Sequence, residues 1–196
     1  MDTYRTIVTT GEATHTEKRS KFIAYAAHAA DAGEATDFVA ALRKKYHDAR
    51  HVCWAYALGT DGADTRSNDD GEPSGTAGKP ILGQLRAAGV TQAVVAVVRY
   101  FGGVKLGTGG LAVAYKSAAA MAIENATTEE RTIEDEITVF APFAATDICL
   151  RTARNLGAHP KSQEYTAEGV RIVFLIPQSR ATELRQALQR IHILRL

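Results

Sequence analysis

Cysteine is scarce in this sequence, with only Cys53 and Cys149 among its 196 residues. The two lie far apart and form neither a Cys-x-x-Cys pair nor the dense framework of a small disulfide-bonded domain. Free cysteines of this kind are typical of a reducing compartment. We therefore expect a cytoplasmic protein.

Long hydrophobic runs are also missing. The longest purely aliphatic stretch covers residues 93–98 and ends at Arg99, whereas a membrane-spanning helix needs about 20 apolar residues. The first residues lack the basic segment followed by an apolar segment that marks a secretory signal. We expect neither secretion nor membrane insertion, and no membrane partner.

The sequence has almost no net charge. Its 23 Lys and Arg side chains are offset by 22 Asp and Glu side chains, which leaves a formal net charge of +1. A protein that binds nucleic acid without sequence preference needs a long-range positive field. Any contact with nucleic acid must therefore be local.

What the sequence does contain is enough apolar material for a core, since 45% of its residues are hydrophobic. Strand and helix patterns follow one another, and the polar stretch 124–130 is typical of a linker. We predict an α+β protein with domains at 1–131 and 132–196. In the first domain we expect strands at 21–30, 51–58 and 92–100, a long polar loop at 59–80, and helices after Asp31, at 81–88 and at 111–126.

The second domain has the pattern strand, helix, strand, strand, helix. We expect strands at 137–141, 159–166 and 170–176, a helix ending at Gly157, a helix around 184–191 and a short last strand at 193–196. This order is typical of a ferredoxin-like α+β sandwich.

The most distinctive segment is the glycine-rich stretch 99–110, which joins a buried strand to a helix. A helix N-terminus presents unpaired N–H groups and partial positive charge, and glycine lets an anion approach the backbone. The alternative is that the glycines, Gly102 and Gly103 included, serve only a tight crossover and helix packing. The candidate ligand-binding residues of this segment are Arg99, Lys105, Gly107, Thr108, Gly109 and Gly110.

Neither common nucleotide-binding motif fits this stretch. Thr108 occupies the position of the P-loop lysine, which argues against a Walker-type ATPase. Residues 107–112 match GxGxxA, but seven residues separate them from Arg99, and no strand with a ribose-binding acidic residue follows the helix. The sequence predicts no cofactor.

A second candidate segment, residues 67–79, concentrates carboxylates and hydroxyls. Close carboxylates can hold Mg²⁺ or Ca²⁺ beside a phosphate, but the EF-hand pattern fails because Arg66 and Ala77 stand at its first and twelfth positions. The favoured interpretation is a turn whose side chains cap their own backbone and the next helix. The candidate ligand-binding residues of this segment are Asp69, Asp70, Glu72, Ser74 and Thr76.

His51 and Cys53 lie two residues apart on a predicted strand and so share one face. Such a pair can act as a nucleophile and its base, but a lone cysteine in a strand is more often a core residue. We favour the core residue and predict no catalytic residue. The six histidines show no zinc-binding arrangement, and we predict no metal site.

Four stretches together resemble the IMPACT/YigZ family: SKFIAY at 20–25, HVCWAY at 51–56, DDGEPSGTAGKP at 69–80 and VRYFGGVKLGTGGL at 98–111. The resemblance covers most of the chain. Family members often carry a basic residue shortly after GTGGL, where this chain has Ala112, Val113 and Ala114 before Tyr115. This departure removes one cation from the start of the helix.

The resemblance implies an N-terminal domain like the second domain of a small-subunit ribosomal protein and a C-terminal domain like the one that ends elongation factor G. Eukaryotic relatives bind an activator of a translation-regulating kinase and damp a starvation response. This implies a non-catalytic binding or regulatory protein linked to translation, with RNA, the ribosome or a regulatory protein as partner. Two alternatives stay open: an enzyme acting on a phosphorylated small molecule or nucleotide, and a protein-interaction module. The sequence predicts no oligomeric state.

Overall fold

The chain folds into two compact units in the computed structural model, which describes residues 2–191 and 194–195. The N-terminal unit is Tyr4–Arg131, and the C-terminal unit is Thr132–Leu196 together with Met1–Thr3. Within these described ranges, no helix is both long enough and apolar enough to cross a membrane.

The N-terminal unit is organised around one antiparallel five-stranded sheet with strand order β2-β3-β6-β4-β5, and β1 pairs with β7 in a separate two-stranded sheet. Its elements in chain order are β1 (Thr3–Thr9), β2 (Gly11–Glu17), β3 (Ser20–His28), α1 (Ala32–Lys45), β4 (His51–Leu58), β5 (Asp64–Asn68), α2 (Gly78–Ala88), β6 (Ala93–Tyr100), α3 (Gly107–Glu124) and β7 (Thr127–Thr132).

Helices cover both faces of this sheet at its centre. α2 and α3 pack on one face and α1 packs on the other. Residues 93–98 of the central strand β6 are therefore fully buried. Burial on both sides explains why this run is apolar throughout instead of alternating with polar residues.

Several N-terminal elements differ from the prediction. The stretch 124–130 is not a free linker because β7 lies in it, and the predicted loop 59–80 contains β5. β1 and β2 were not predicted. The four strands β1, β2, β5 and β7 are rich in Thr and in charged residues and lie at sheet edges. Their exposed polar side chains conceal the strand pattern in the sequence. α3 begins at Gly107, four residues early, so residues 107–110 form its first turn.

The C-terminal unit has a four-stranded antiparallel sheet with strand order β11-β8-β10-β9. The predicted succession of strand, helix, strand, strand and helix is present, and α4 and α5 pack against the sheet. Of the predicted last strand, residues 194–195 pair with β8, whereas Ile193 and Leu196 lie outside the described residues. The elements are β8 (Glu134–Pro142), α4 (Phe143–Asn155), β9 (His159–Tyr165), β10 (Gly169–Pro177), a 3₁₀ turn (Gln178–Arg180), α5 (Ala181–Arg190) and β11 (Leu194–Arg195).

Candidate functional site

A cleft of about 380 Å³ opens where β6 ends, beside the start of β4 and the first turns of α3. We call it the Arg99 cleft. Five candidate residues from both predicted segments line it, so folding brings the glycine-rich stretch and part of the acidic stretch together: Arg99, Lys105, Gly107, Thr108 and Glu72. The remaining candidates are not part of the lining: Asp69, Asp70, Ser74, Thr76, Gly109 and Gly110.

Arg99 on β6 is the middle member of a row of three side chains on neighbouring strands. Phe22 of β3 and His51 of β4 are its direct cross-strand partners. Alternate residues of a strand share a face, so Arg99 lies on the same side as Val95 and Val97, which pack under α2 and α3. The strand register therefore buries a charged side chain, and Arg99 is only 7% exposed.

Glu72 is the charge partner of Arg99 and is itself only 9% exposed. Arg99 Nη1 donates to Glu72 Oε1 at 2.6 Å, and the hydroxyl of Tyr115 on α3 donates to the same oxygen at 2.8 Å. His51 Nε2 lies 3.9 Å from that oxygen. Removing both charges from water is costly, and each of the two would be left uncompensated without the other. Glu72 thereby ties the acidic segment to β6 and α3.

The guanidinium of Arg99 is only partly satisfied. Its Cζ lies 5.5 Å from the ring centre of Phe22 and 5.7 Å from that of Phe101, both within cation–π distance. Its Nε is buried, and none of the described residues accepts a hydrogen bond from it. An unsatisfied buried donor costs about 1–3 kcal/mol. Arg99 thus holds a donor that the fold itself does not use.

The start of α3 supplies further unused donors. In the part of the chain that the structure describes, neither a side chain nor a loop carbonyl accepts a hydrogen bond from the N–H groups of residues 107–109. These groups carry the positive end of the helix dipole. Gly107 needs its lack of a side chain because its φ is +72°. A Cβ on Gly109 would meet no atom within 4 Å, so this glycine answers no packing need.

Asp69 is committed to the backbone of its own loop. Its Oδ1 accepts the N–H groups of Ala77 at 2.9 Å and Gly78 at 2.8 Å, and its Oδ2 accepts that of Gly75 at 2.7 Å. Burial by itself would raise the pKa of this carboxyl, but the three N–H groups outweigh it and hold the pKa below its ordinary value. Asp69 therefore caps α2, in line with the capping role that the sequence favoured.

Asp70 and His51 fasten the same loop to β4. Asp70 Oδ2 accepts the N–H of Val52 at 2.7 Å and lies 2.5 Å from Arg43 Nη2, near the end of α1. The carbonyl oxygen of Asp70 can only accept, so His51 donates to it through Nδ1 at 2.7 Å. This contact fixes the imidazole with Nε2 on the side of Glu72.

The hydroxyls of the acidic segment lie elsewhere. Ser74 is exposed, and the buried Thr76 donates its hydroxyl to the Pro73 carbonyl at 2.7 Å. Across residues 2–191 and 194–195, no group of three His, Cys, Asp or Glu side chains is placed to hold a metal ion. Each carboxylate of the segment instead has a backbone N–H or a cation as its partner.

Cys53 is a core residue. Its thiol lies 3.0 Å from the Asp69 carbonyl oxygen and 3.3 Å from the Tyr115 hydroxyl. Burial raises the pKa of the Cys53 thiol, whereas a nucleophilic cysteine needs a lowered pKa. The structure thus agrees with the interpretation of Cys53 as a packed side chain.

Sequence reasoning missed Tyr115 and Phe101. Tyr115 lies two helical turns beyond Gly107, a spacing that turns it toward the sheet, where it is fully buried. One signal was available: every second residue of a strand shares a face, so Arg99 lies on the face of Val95 and Val97, and a buried arginine needs an acidic partner. No comparable pattern identifies Phe101.

Comparisons with known proteins identify the family to which the chain belongs. The family model for the Impact N-terminal domain matches residues 18–123. The IMPACT family member YigZ of Escherichia coli K12 is 44% identical over 124 residues, which cover 62% of this chain and 61% of YigZ. An IMPACT family member of Thermus thermophilus, encoded in the pol 5′ region, is 42% identical over 162 residues, covering 82% of this chain and 86% of that protein.

A solved structure resembles the whole chain. The crystal structure of a protein described as hypothetical has a TM-score of 0.72 and 30% identity, and the match covers 100% of this chain and 98% of that one. The chain spans less than two thirds of YigZ, at 61%, and of its Haemophilus influenzae relative, at 57%. The family model nevertheless covers more than half of this chain and includes both segments of the Arg99 cleft. The chain therefore belongs to the IMPACT family, through an Impact N-terminal domain.

Proposed function

We propose that this protein is a non-catalytic binding protein that holds a phosphate-bearing ligand in the Arg99 cleft and acts in the regulation of translation. One observation carries the proposal: Arg99 is a buried cation with an unsatisfied Nε, and it lines a cleft beside the uncapped start of α3. Phosphate oxygens supply the acceptors that the exposed N–H groups of residues 107–109 lack, and Arg99 adds a positive charge to the same cleft.

The charges around the cleft support an anionic ligand. Arg50, Arg99 and Lys105 line it together with the acidic Glu72. Glu72 offsets Arg99, so Arg50 and Lys105 leave the cleft positive. Hydrogen bonds from cations to phosphate are roughly twice as strong as neutral ones, and helix N–H groups are already in place to add to them.

The reactive side chains near the cleft support a binding function rather than nucleophilic chemistry. Cys53 is buried and its thiol has a raised pKa. Asp69 and Asp70 accept hydrogen bonds from the loop and from β4. The fold uses each of these reactive groups for its own stability.

The link to translation comes from the family. The resemblance implies domains like those of a ribosomal protein and of elongation factor G, and relatives that bind an activator of a translation-regulating kinase. We accordingly take RNA or the ribosome as the source of the phosphate, a regulatory protein as a further partner, and the cytoplasm as the place of action. Because the chain is nearly neutral, RNA contact would be confined to the cations of the cleft.

Thermal unfolding with inorganic pyrophosphate tests the site. A ligand at 100 times its Kd stabilises a protein by about 2.7 kcal/mol, which for a chain of this size raises Tm by about 5–10 °C. Lys105→Ala should reduce this rise. Lys116→Ala is the matched control, because Lys116 is also exposed but lies beyond the first turn of α3, and it should leave the rise unchanged.

A second pair of variants separates charge repulsion from misfolding. Thr108→Asp places a carboxylate in the first turn of α3, where it favours the helix, so the unliganded Tm should hold or rise while the response to pyrophosphate is lost. Thr108→Asn has the same shape without the charge and should respond. A full response in both Lys105→Ala and Thr108→Asp would contradict the proposal.

A further inference from the structure

Phe101 is an exposed aromatic ring at the edge of the Arg99 cleft. It follows directly after β6, lines the cleft and is 56% exposed. Single exposed apolar side chains are common on protein surfaces, but Phe101 is set apart by its place in the lining of a cationic cleft. Phe101 lies beside the groups that we propose donate hydrogen bonds to phosphate. The question is which flat chemical group of the ligand would cover its ring.

The backbone behind Phe101 is held in place. The N–H of Gly102 donates to Ser20 Oγ at 3.2 Å. A Cβ at Gly102 would lie 2.0 Å from the carbonyl carbon of Arg19, so only glycine lets the chain approach the turn between β2 and β3 this closely. The exposed ring therefore projects from an anchored segment.

Arg99 contributes from inside the cleft. Its Cζ lies 5.7 Å from the centre of the Phe101 ring, so the guanidinium approaches the ring from the buried side. The solvent-exposed part of the ring stays available for a ligand. Proteins bind unpaired bases by stacking them on aromatic side chains that line a positively charged groove.

The size and lining of the cleft fit more than a phosphate ion. Its volume of about 380 Å³ lies within the roughly 300–1,000 Å³ of pockets for small organic ligands. Besides its cations it presents the apolar side chains of Phe101, Leu106 and Leu111. A ligand that fills it needs a negative end for the α3 donors and an apolar, flat part for Phe101.

We propose that the ligand is an unpaired nucleotide whose base stacks on Phe101 and whose phosphate lies at the start of α3, near Arg99 and Lys105. This rests on the proposed phosphate-binding function and adds the base to it. In a duplex the base faces are already stacked on their neighbours, so the site selects single-stranded or free nucleotides. The nucleotide comes either from solution or from an unpaired residue of an RNA strand.

Fluorescence anisotropy on the full chain tests the stacking. The probes are a short single-stranded RNA, the same strand with abasic residues, the corresponding duplex, and competing nucleoside monophosphates. Phe101→Leu should weaken binding of the single strand about 5- to 150-fold, the range measured for loss of one stacked base, and Phe101→Trp should retain it. Phe143→Leu is the matched control, since Phe143 is 55% exposed and lies in the C-terminal unit.

The possible outcomes distinguish the stacking proposal from the phosphate-binding proposal on which it rests. Weaker binding by Phe101→Leu, with an unchanged response to pyrophosphate, supports the stacked base. Competition by nucleoside monophosphates identifies the free nucleotide as the ligand, and its absence identifies the strand. If the abasic strand binds as well as the intact one, the stacking proposal is wrong and the phosphate-binding proposal stands. The same holds if Phe101→Leu weakens binding of a protein partner but not of the RNA strand. If pyrophosphate also fails to bind, the proposed function itself is wrong.

Discussion

The Arg99 guanidinium has three neighbours inside the N-terminal unit and one buried nitrogen without an acceptor. Glu72 neutralises it, the rings of Phe22 and Phe101 contact it, and Nε has no acceptor in the described structure. An arginine at the end of a strand could turn to water at little cost. Arg99 instead points inward because its strand register places it opposite Phe22 and His51. Holding a charged side chain in place before a ligand arrives is what a preformed anion site requires.

Removing the charge of Glu72 should destabilise the fold strongly. We expect Glu72→Gln to lower the free energy of unfolding by about 3–5 kcal/mol, because it leaves the buried charge of Arg99 uncompensated. Urea denaturation at neutral pH measures this. Glu129→Gln breaks an exposed pair with Arg131 and should leave stability unchanged. Equal stability of the two variants would show that the buried pair is not coupled to folding.

The two helices that cover one face of the sheet begin in different ways. The start of α2 is closed by the carboxylate of Asp69, which lies in the preceding loop. The start of α3 has no such cap among the described residues. The exposed N–H groups of residues 107–109 are therefore open to water or to an anion, as the proposed function requires.

The cap on α2 predicts a pH-dependent effect. Asp69→Asn should lower stability at pH 7 by about 0.5–1.5 kcal/mol, because the amide replaces the oxygen that accepts the Gly75 N–H. The pKa of Asp69 is lowered in the folded state, so its stabilisation is complete above the ordinary value of 3.8 and is lost as pH falls through the folded-state pKa. The difference from wild type should therefore shrink in acid.

Asp61→Asn supplies the comparison for this cap. Asp61 accepts one hydrogen bond, from the N–H of Ala63 in an exposed turn. Its substitution should change stability less than Asp69→Asn does. A constant difference between wild type and Asp69→Asn from pH 7 to pH 3 would show that the charge of Asp69 does not support α2.

Apolar periodicity in the sequence predicts the elements that are buried. The strands β6, β8 and β10 follow from it directly. The edge strands β2, β5 and β7 do not, because their pairing is decided by neighbouring strands and not by burial of their own side chains. The glycine run predicts a loop because glycine disfavours helices, yet α3 already begins at Gly107.

The candidate site was predictable in its parts but not in its assembly. Glycine content and charge identify the Arg99–Gly110 and Asp69–Thr76 segments, and Glu72, Arg99, Lys105, Gly107 and Thr108 do line one cleft. The sequence does not show which carboxylate meets Arg99. That choice depends on loop hydrogen bonds that commit Asp69 and Asp70 to the backbone and leave Glu72 for the guanidinium.

At the scale of the whole molecule, a nearly neutral chain carries a local concentration of positive charge. The formal net charge is +1, while the Arg99 cleft gathers Arg50, Arg99 and Lys105 around one acidic residue. Long-range attraction to a polyanion is therefore weak, and recognition depends on short-range contacts. This distribution suits a ligand that presents one or two phosphates.

The central claim is that the donors at the start of α3 and on Arg99 receive an anion. Titration of isotope-labelled protein with inorganic pyrophosphate, followed by NMR through backbone amide and arginine Nε–H signals, tests it most directly. We expect the largest shifts at the amides of Gly107, Thr108 and Gly109 and at the Nε–H of Arg99. Shifts confined to other surfaces, or none at saturating pyrophosphate, would contradict the account.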